Sequence, residues 1–403
     1  MRTYAFIAYW FIPYSLAAVE ILMMTDMNNE LEQFRDMVKR FLDKEIKPFY
    51  DQWEKDGIIP REVWHSMGVN GLLCVDQPEE YGGVGVSYLY SMVVLEEASR
   101  ANFASLATGL SVHSDIAAPY VQHIGNEAQR QQWLPKMISG EVIGAIGMTE
   151  PGAGSDLQAI RTTAILNGDH YVLNGSKTFI TNGQHADLVI LAAKTDPNGG
   201  AKGVSLFLVD MNLAGCARGR NLEKMGLHAQ DTSELFFDNV KLPLDSLLGE
   251  AGKGFSYLMN ELPRERLNLA VCAVAASEGL LEATITYTQE RKAFGNPISK
   301  LQNTRFTLAT CHTDIAVNKA FTDQCVRQYM EGKLDASTAA VAKLSTTDMQ
   351  GRVADACLQM FGGYGYMLEY PAARAYVDAR IQRIYGGTNE IMKEVIARSL
   401  VGR

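Results

Sequence analysis

The strongest constraint on the fold is a change of hydrophobic period, from helical to alternating and back to helical, which no single-class architecture satisfies. From Asn28 onward, Leu31, Phe34, Val38, Phe41, Leu42 and Ile46 recur at three- and four-residue spacing on one helical face, and Pro48 marks the end. Helical runs continue to about Gly140, broken by the turn-rich segment Gln77 to Gly85; the charge-poor stretch Leu95 to His113 reads as a buried helix. Near Gly144 the period changes. Between Arg161 and Leu208, β-branched and aromatic runs alternate with Asn167-Gly168, Asn174-Gly175, Asn182-Gly183 and Asn198-Gly199, dipeptides that accept the positive φ of hairpin turns. Val189-Ile190-Leu191 and Val204 to Val209 read as its most buried strands. After Gly254, Leu269 to Thr284, Asn303 to Met330 and Thr338 to Met360 are long Ala/Leu/Val-rich segments with few breakers, as in a bundle. The expected fold class is α+β: an N-terminal helical domain (28–143), a central antiparallel β domain (144–254) and a C-terminal helix bundle (255–403).

Residues 1–27 are set outside that fold. Tyr4 to Met24 approaches a membrane span in length and is aromatic and apolar, but Pro13 and Glu20 interrupt it and only Arg2 supplies a positive start. No small-residue cleavage pattern follows cleanly, so the segment is read as an upstream extension rather than a signal peptide, with the working start at Met24 or Met27. No integral membrane role is expected.

Charge narrows the function classes. The 46 acidic residues exceed the 37 basic ones, giving a formal charge of −9 with no Lys/Arg run, which argues against nucleic acid as a partner. An anionic ligand must then be held by a few placed groups. The six cysteines are scattered, without a CxxC pair or Cys/His cluster, and read as reduced and structural; no metal site is expected.

Five segments carry chemistry. Met148-Thr149-Glu150-Pro151-Gly152-Ala153-Gly154-Ser155-Asp156 sets glycines beside hydroxyls where helix gives way to strand, so that backbone and hydroxyl groups can approach a flat heteroaromatic or a phosphate closely. It lacks the Gly-Lys-Ser/Thr ending of a P-loop. Lys177-Thr178-Phe179-Ile180-Thr181-Asn182-Gly183 comes next, then Glu290-Arg291-Lys292-Ala293-Phe294-Gly295 with Gln302, then Gln359-Met360-Phe361-Gly362-Gly363-Tyr364-Gly365-Tyr366, and finally Ile384-Tyr385-Gly386-Gly387-Thr388-Asn389-Glu390-Ile391. Each alone is consistent with core packing, a tight loop or a surface ion pair.

Together, in this order, the five segments resemble the acyl-CoA dehydrogenase family of flavoproteins, over residues 28–403. The resemblance implies FAD as cofactor, with its isoalloxazine between the β domain and the bundle. Met148, Thr149, Gly154 and Ser155, with Phe179, Ile180 and Thr181, would line the ring; hydroxyls of Thr149 and Thr181 can bond its heteroatoms. Ser155 would also touch the CoA arm. Arg291, Phe294 and Gln302, with Gln359, Gly362 and Gly363, resemble segments that hold the pyrophosphate and adenosine of a neighbouring subunit's FAD, and a guanidinium suits phosphate. Thr388, Asn389 and Glu390 would be the last FAD contact. A homotetramer, a dimer of dimers, is the implied assembly.

The implied reaction removes the α-proton of an acyl-CoA by a carboxylate while a β-hydrogen passes as hydride to flavin N5. Many family members place that base directly before the Gly-Thr of the last motif, where this chain has Gly386. The subset resembling long-chain and isovaleryl-CoA dehydrogenases carries it on a helix before an Arg, and here Glu265 precedes Arg266. Glu265 lies three after Leu262 and four before Leu269 on one apolar stripe; Glu261, one turn earlier, is the rival, and Arg264 and Arg266 fit either substrate contacts or a solvated, ion-paired surface. Pro263 removes a backbone donor two residues before the base. Gly386 keeps the N–H that would polarise the thioester oxygen, Gly387 adjoins it, and the missing Glu side chain is expected to free volume for a branched or long acyl group. Ser256 departs from the subset, which usually has Tyr there.

The expected electron acceptor is an electron-transferring flavoprotein, and the expected location the bacterial cytoplasm or a mitochondrial matrix. The alternatives are a flavin oxidase or monooxygenase of the same fold, separated by the oxygen reactivity of the reduced flavin, and a non-catalytic relative that binds DNA.

Overall fold

A computed structural model describes residues 16–402. Helix α1 (Leu16–Phe41) passes through a π-helical turn at Leu42–Ile46, and the chain reverses at Lys47–Phe49 before α2 (Tyr50–Asp56). Of the segment set outside the fold, residues 1–15 lie outside the described ones, and 16–27 form the first part of α1. Helices α3 (Arg61–Val69), α4 (Tyr88–Arg100), α5 (Ala104–Leu110), α6 (Ala118–Ile124) and α7 (Glu127–Ile138) complete the N-terminal layer. A second π-helical segment, Ser111–Ala117, joins α5 to α6 without a break.

The strands come next: β1 (Gly144–Gly147), β2 (Thr163–Asn167), β3 (His170–Thr181), β4 (Leu188–Lys194), β5 (Val204–Asp210), β6 (Cys216–Asn221), β7 (Thr232–Pro243) and β8 (Leu247–Leu248). They form one sheet in the order β6-β7-β3-β2-β4-β5-β8, with β1 added beside β4. Most pairings are antiparallel, but β1 and β2 both run parallel to β4, so the sheet is mixed. The strands expected to be most buried, β4 and β5, are covered on both faces: Leu188, Ile190, Leu206 and Leu208 join the helical core, while Val189, Leu191, Phe207 and Val209 alternate into the sheet's own core.

The Asn-Gly dipeptides divide in their roles. Gly168, at φ +64°, turns β2 into β3; Asn182, at +63°, ends β3; Gly200, at +57°, follows the Asn198-Gly199 turn. Asn174-Gly175 is not a turn. It lies within β3 at a register shift against β7, with Gly175 at φ +148° and a Cβ there only 2.5 Å from the Thr162 hydroxyl. The dipeptide makes a bulge because the backbone must pass close to Thr162.

The bundle comprises α8 (Gly254–Glu290), a short hairpin of β9 (Lys292–Ala293) and β10 (Asn296–Pro297), then α9 (Gln302–Met330), α10 (Ala336–Phe361), α11 (Pro371–Ala379) and α12 (Asn389–Val401). Helix α8 runs through Pro263 rather than starting near it, and its central residues are buried against α4 and α10. It is therefore the main element through which the two helical layers meet, with α11 adding a smaller contact to α5 and an Arg374–Asp51 ion pair to α2.

Candidate active site

The loop after β1 and the end of β3 are tied by their backbones, since Thr178 N–H donates to the Thr149 carbonyl at 2.9 Å. Beneath them is a buried ion pair, Lys177 Nζ to Glu150 Oε1 at 2.8 Å, with Lys177 also donating to the Met148 carbonyl. Glu150 accepts from the N–H groups of Arg161 and Thr162 as well, so its charge is fully paired. Those partners hold it below the usual carboxylate range against the cost of burial, while burial lowers Lys177 to about 8. The pair fixes the two strands' relative height. On the open side, Phe179 sits at φ +58° in a bulge and leaves its ring 69% exposed, while Ile180 is buried beneath. Thr149, Ser155 and Thr181 have no hydrogen bond to their hydroxyls among the described residues, and a Cβ on Gly152 or Gly154 would meet nothing within 4 Å. Free hydroxyls, open glycine backbone and a bared aromatic ring fit a flat heteroaromatic ligand.

Arg291, Gln359, Gly362 and Gly363 line a separate open cleft of about 430 Å³, in which none of the β-domain loops takes part. Arg291 lies 5.6 Å from the Tyr364 ring centroid, and Tyr287 stacks on Phe361 at 4.2 Å to give the cleft a rigid floor. A Cβ on Gly362 or Gly363 would meet nothing within 4 Å, so a phosphate can approach that backbone. Phe294 projects from the β9–β10 hairpin with 94% of its surface exposed, and Gln302 is exposed at the start of α9. Phe294 and Gln302 thus face away from the core of this chain.

The third cluster centres on α8. Glu265 is 4% exposed, and Oε1 accepts a 2.9 Å hydrogen bond from the Tyr120 hydroxyl of α6. No hydrogen bond to Oε2 is found among the described residues. Burial pushes the carboxyl up to about 7; the Tyr120 bond and Arg266 oppose that rise, and Glu261 adds to it. Glu261 instead contacts His123 Nδ1 at 3.0 Å on the partly exposed side of α6. One turn of helix thus separates a buried carboxylate from a wetter one.

Arg266 is 6% exposed, without a hydrogen-bond partner at Nε among the described residues, and burial lowers its pKa. Its Nη2 lies 3.9 Å from the position a Cβ would take on Gly387, which places α8 against the last motif. Gly386 and Gly387 have φ of +64° and +88°. Lys343 of α10, fully buried and lowered to about 8 by burial, donates to the Gly387 carbonyl and to Asn389 Oδ1, both at 2.8 Å, fixing the loop from behind.

Three expectations change. Arg264 is not on a solvated surface: it is buried, donates to Asp76 and Asp115, and lies 4.8 Å from the Tyr88 ring centroid. Its Nη2 is engaged in joining α8 to the N-terminal layer, and Nη1 donates to the Tyr329 hydroxyl of α9. Asn389 is turned inward to Lys343, Thr347 and Asp348, and Thr388 caps α12 by accepting from the Ile391 N–H, leaving Glu390 exposed. The space at Gly386 is not free, because a Cβ there would come within 2.5 Å of Leu269 Cδ1. Sequence patterns do not single out Tyr120 or Lys343. Neither forms a local motif with its partner, 145 residues away for Tyr120 and 44 for the Gly387 carbonyl.

Family models for the N-terminal, middle and C-terminal domains of acyl-CoA dehydrogenase match residues 28–141, 145–240 and 252–401. The chain is 48% identical over 376 residues to the mitochondrial long-chain specific acyl-CoA dehydrogenase of Rattus norvegicus, covering 93% of this chain and 87% of that protein. A crystal structure of acyl-CoA dehydrogenase from Geobacillus kaustophilus superposes with a TM-score of 0.91 at 49% identity, over 92% of this chain and 98% of that one. A glutaryl-CoA dehydrogenase from Mycobacterium smegmatis in complex with FADH2 has a TM-score of 0.88 at 29% identity, covering 93% and 95%.

Proposed function

Since the chain belongs to the acyl-CoA dehydrogenase family, as an oxidoreductase of acyl-CoA thioesters with a flavin cofactor, we propose that Glu265 takes the α-proton. The observation that carries this is the buried carboxylate at Glu265, raised to about 7 and with Oε2 unbonded among the described residues, on the turn of α8 that packs against Gly386 and Gly387. A base with its pKa near the working pH is largely ionised yet still basic enough to accept a carbon-bound proton. Glu261 is instead engaged by His123.

The Gly386 N–H donates to no group among the described residues, and it would polarise the thioester oxygen, which acidifies the α-hydrogen. Arg266 adds unpaired positive charge beside the site, favouring ionised Glu265 and the negative charge that develops on the thioester.

FAD is the flavin that fits. Thr149, Thr181, Ser155 and Phe179 would hold its ring, and Arg291, Phe294, Gln302, Gln359, Gly362 and Gly363 would hold the dinucleotide end in a neighbouring subunit, which calls for at least a dimer and accords with a homotetramer. The chemistry that FAD supplies when bound is acceptance of the β-hydrogen as hydride. Residues 28–143, 144–254 and 255–403 act as the three domains enclosing this site. Electrons would leave through an electron-transferring flavoprotein in the cytoplasm or mitochondrial matrix.

Anaerobic titration of the yellow holoenzyme with straight and branched acyl-CoAs tests this. Bleaching of the flavin by some of them is expected, with slow reoxidation by oxygen. Failure of every thioester to bleach it would overturn the assignment, and fast reoxidation would favour an oxidase.

A further inference from the structure

We propose that Tyr120 is a positioning residue for the proton-abstracting carboxylate, its hydroxyl holding Glu265 Oε1 so that Oε2 alone is presented to the substrate; this rests on Glu265 being the base. Tyr120 is 0% exposed, and the only hydrogen bond of its hydroxyl among the described residues is the one to Glu265, at 2.9 Å. Phenylalanine would satisfy the packing. A buried hydroxyl costs free energy unless bonded, so its presence is accounted for by that one acceptor.

The local fold delivers the hydroxyl. The π-helical segment Ser111–Ala117 lies between α5 and α6 in one continuous run. Each residue added to a helix rotates the later turns by about 100°, so the π turn sets which side of α6 faces α8. In the observed register Asp115 meets Arg264, Tyr120 meets Glu265 and His123 meets Glu261. Three side-chain contacts, from the π segment and from α6, join this stretch to α8, and one of them is the buried tyrosine on the candidate base. The side chain is a permanent donor, because burial and Glu265 both push its own pKa up.

The charged groups around Glu265 are Glu261 and Arg266 on its own helix, His123 on α6 beyond Glu261, and Lys343 on α10 beyond Arg266. None of these is hydrogen-bonded to the carboxylate, which leaves Tyr120 as its one donor among the described residues. A hydrogen bond to a charged group stabilises the ionised form by an amount equivalent to about one pKa unit or more. Tyr120→Phe in the holoenzyme should therefore move the acid limb of kcat/KM upward by about one pH unit. It should also slow flavin bleaching roughly tenfold at pH 9, where Glu265 is ionised in both forms, with KM little changed. Replacing Tyr120 by 3-fluorotyrosine, nearly isosteric and a stronger donor, should move the limb the other way. Parent-like limbs and rates in both proteins would overturn the proposal; if the Phe variant fails to retain flavin, the direction of the fluorotyrosine shift decides alone. Glu265→Gln assayed in parallel separates the two ideas. Turnover in that variant removes the base assignment, whereas an inactive Gln variant with two silent Tyr120 probes removes only the role of Tyr120.

Discussion

Replacing Glu265 by Gln should leave a protein that is less active and, above neutral pH, more stable. Glu265 is fully enclosed and raised from 4.5 to about 7, chiefly by burial. A carboxyl whose folded pKa is raised binds its proton more tightly in the folded state, so folding favours the protonated form and stability falls as pH rises from the unfolded pKa to the folded one. At roughly 1.4 kcal/mol for each pH unit between the two pKa values, the site costs about 3 kcal/mol at pH 9, where it is ionised, and about 1 kcal/mol at pH 5.5, where folding must protonate it. A neutral amide of the same shape keeps the Tyr120 contact without that charge. The stability gap in favour of Glu265→Gln should thus widen by about 2 kcal/mol between pH 5.5 and 9. Thermal melts of both flavin-loaded proteins, in matched buffers across that range, measure the gap as a growing offset between melting temperatures. The same variant should bleach at least about 10²-fold more slowly with acyl-CoA, the usual scale for loss of a general base. A pH-independent offset would show that Glu265 is not ionised against a desolvation cost. Near-normal turnover in Glu265→Gln, with activity lost in Glu261→Gln, would move the base one turn along α8.

Gly386→Ala should sharply lower kcat/KM because φ is +64° there and the new Cβ would meet Leu269 Cδ1 at 2.5 Å; adding Leu269→Ala should recover part of it and widen the range of branched acyl-CoAs bleaching the flavin. Lys177→Met strands the buried charge of Glu150 and should cost about 3–5 kcal/mol, read in denaturant melts, whereas Lys177→Met with Glu150→Leu should recover most of that loss. Arg291→Ala should release flavin on gel filtration at moderate salt, and Arg291→Lys should retain more of it, since Lys supplies charge without paired donors. Pro263→Ala restores a donor for the Met259 carbonyl and should change turnover if the proline aims Glu265; unchanged turnover would remove it from the mechanism.

The order of the elements is written locally in the chain. The switch from a 3.6-residue to a two-residue period near Gly144 and back near Gly254 involves only neighbouring residues, and the structure changes element type at those places. The hydroxyl-glycine segments around Thr149 and Thr181 and the Glu265-Arg266 step after Pro263 are also contiguous, so they are legible before any contact is known. Tertiary structure decides everything that depends on which side of an element faces inward. Periodicity places Glu261 and Glu265 on the same stripe; only α6, turned by a π segment, gives one a buried tyrosine and the other a half-exposed histidine. Arg264, beside the base in sequence, is drawn to Asp76 and Asp115 from another layer. The absence of a side chain at Gly386 implies space, yet Leu269 from α8 fills it. Asn174-Gly175 has the composition of a turn but lies in mid-strand because Thr162 crowds the backbone there. Propensity and period act over a few neighbouring residues, whereas desolvation, charge pairing and free volume are set by atoms tens to hundreds of residues away, and those three quantities decide which carboxylate can act as a base.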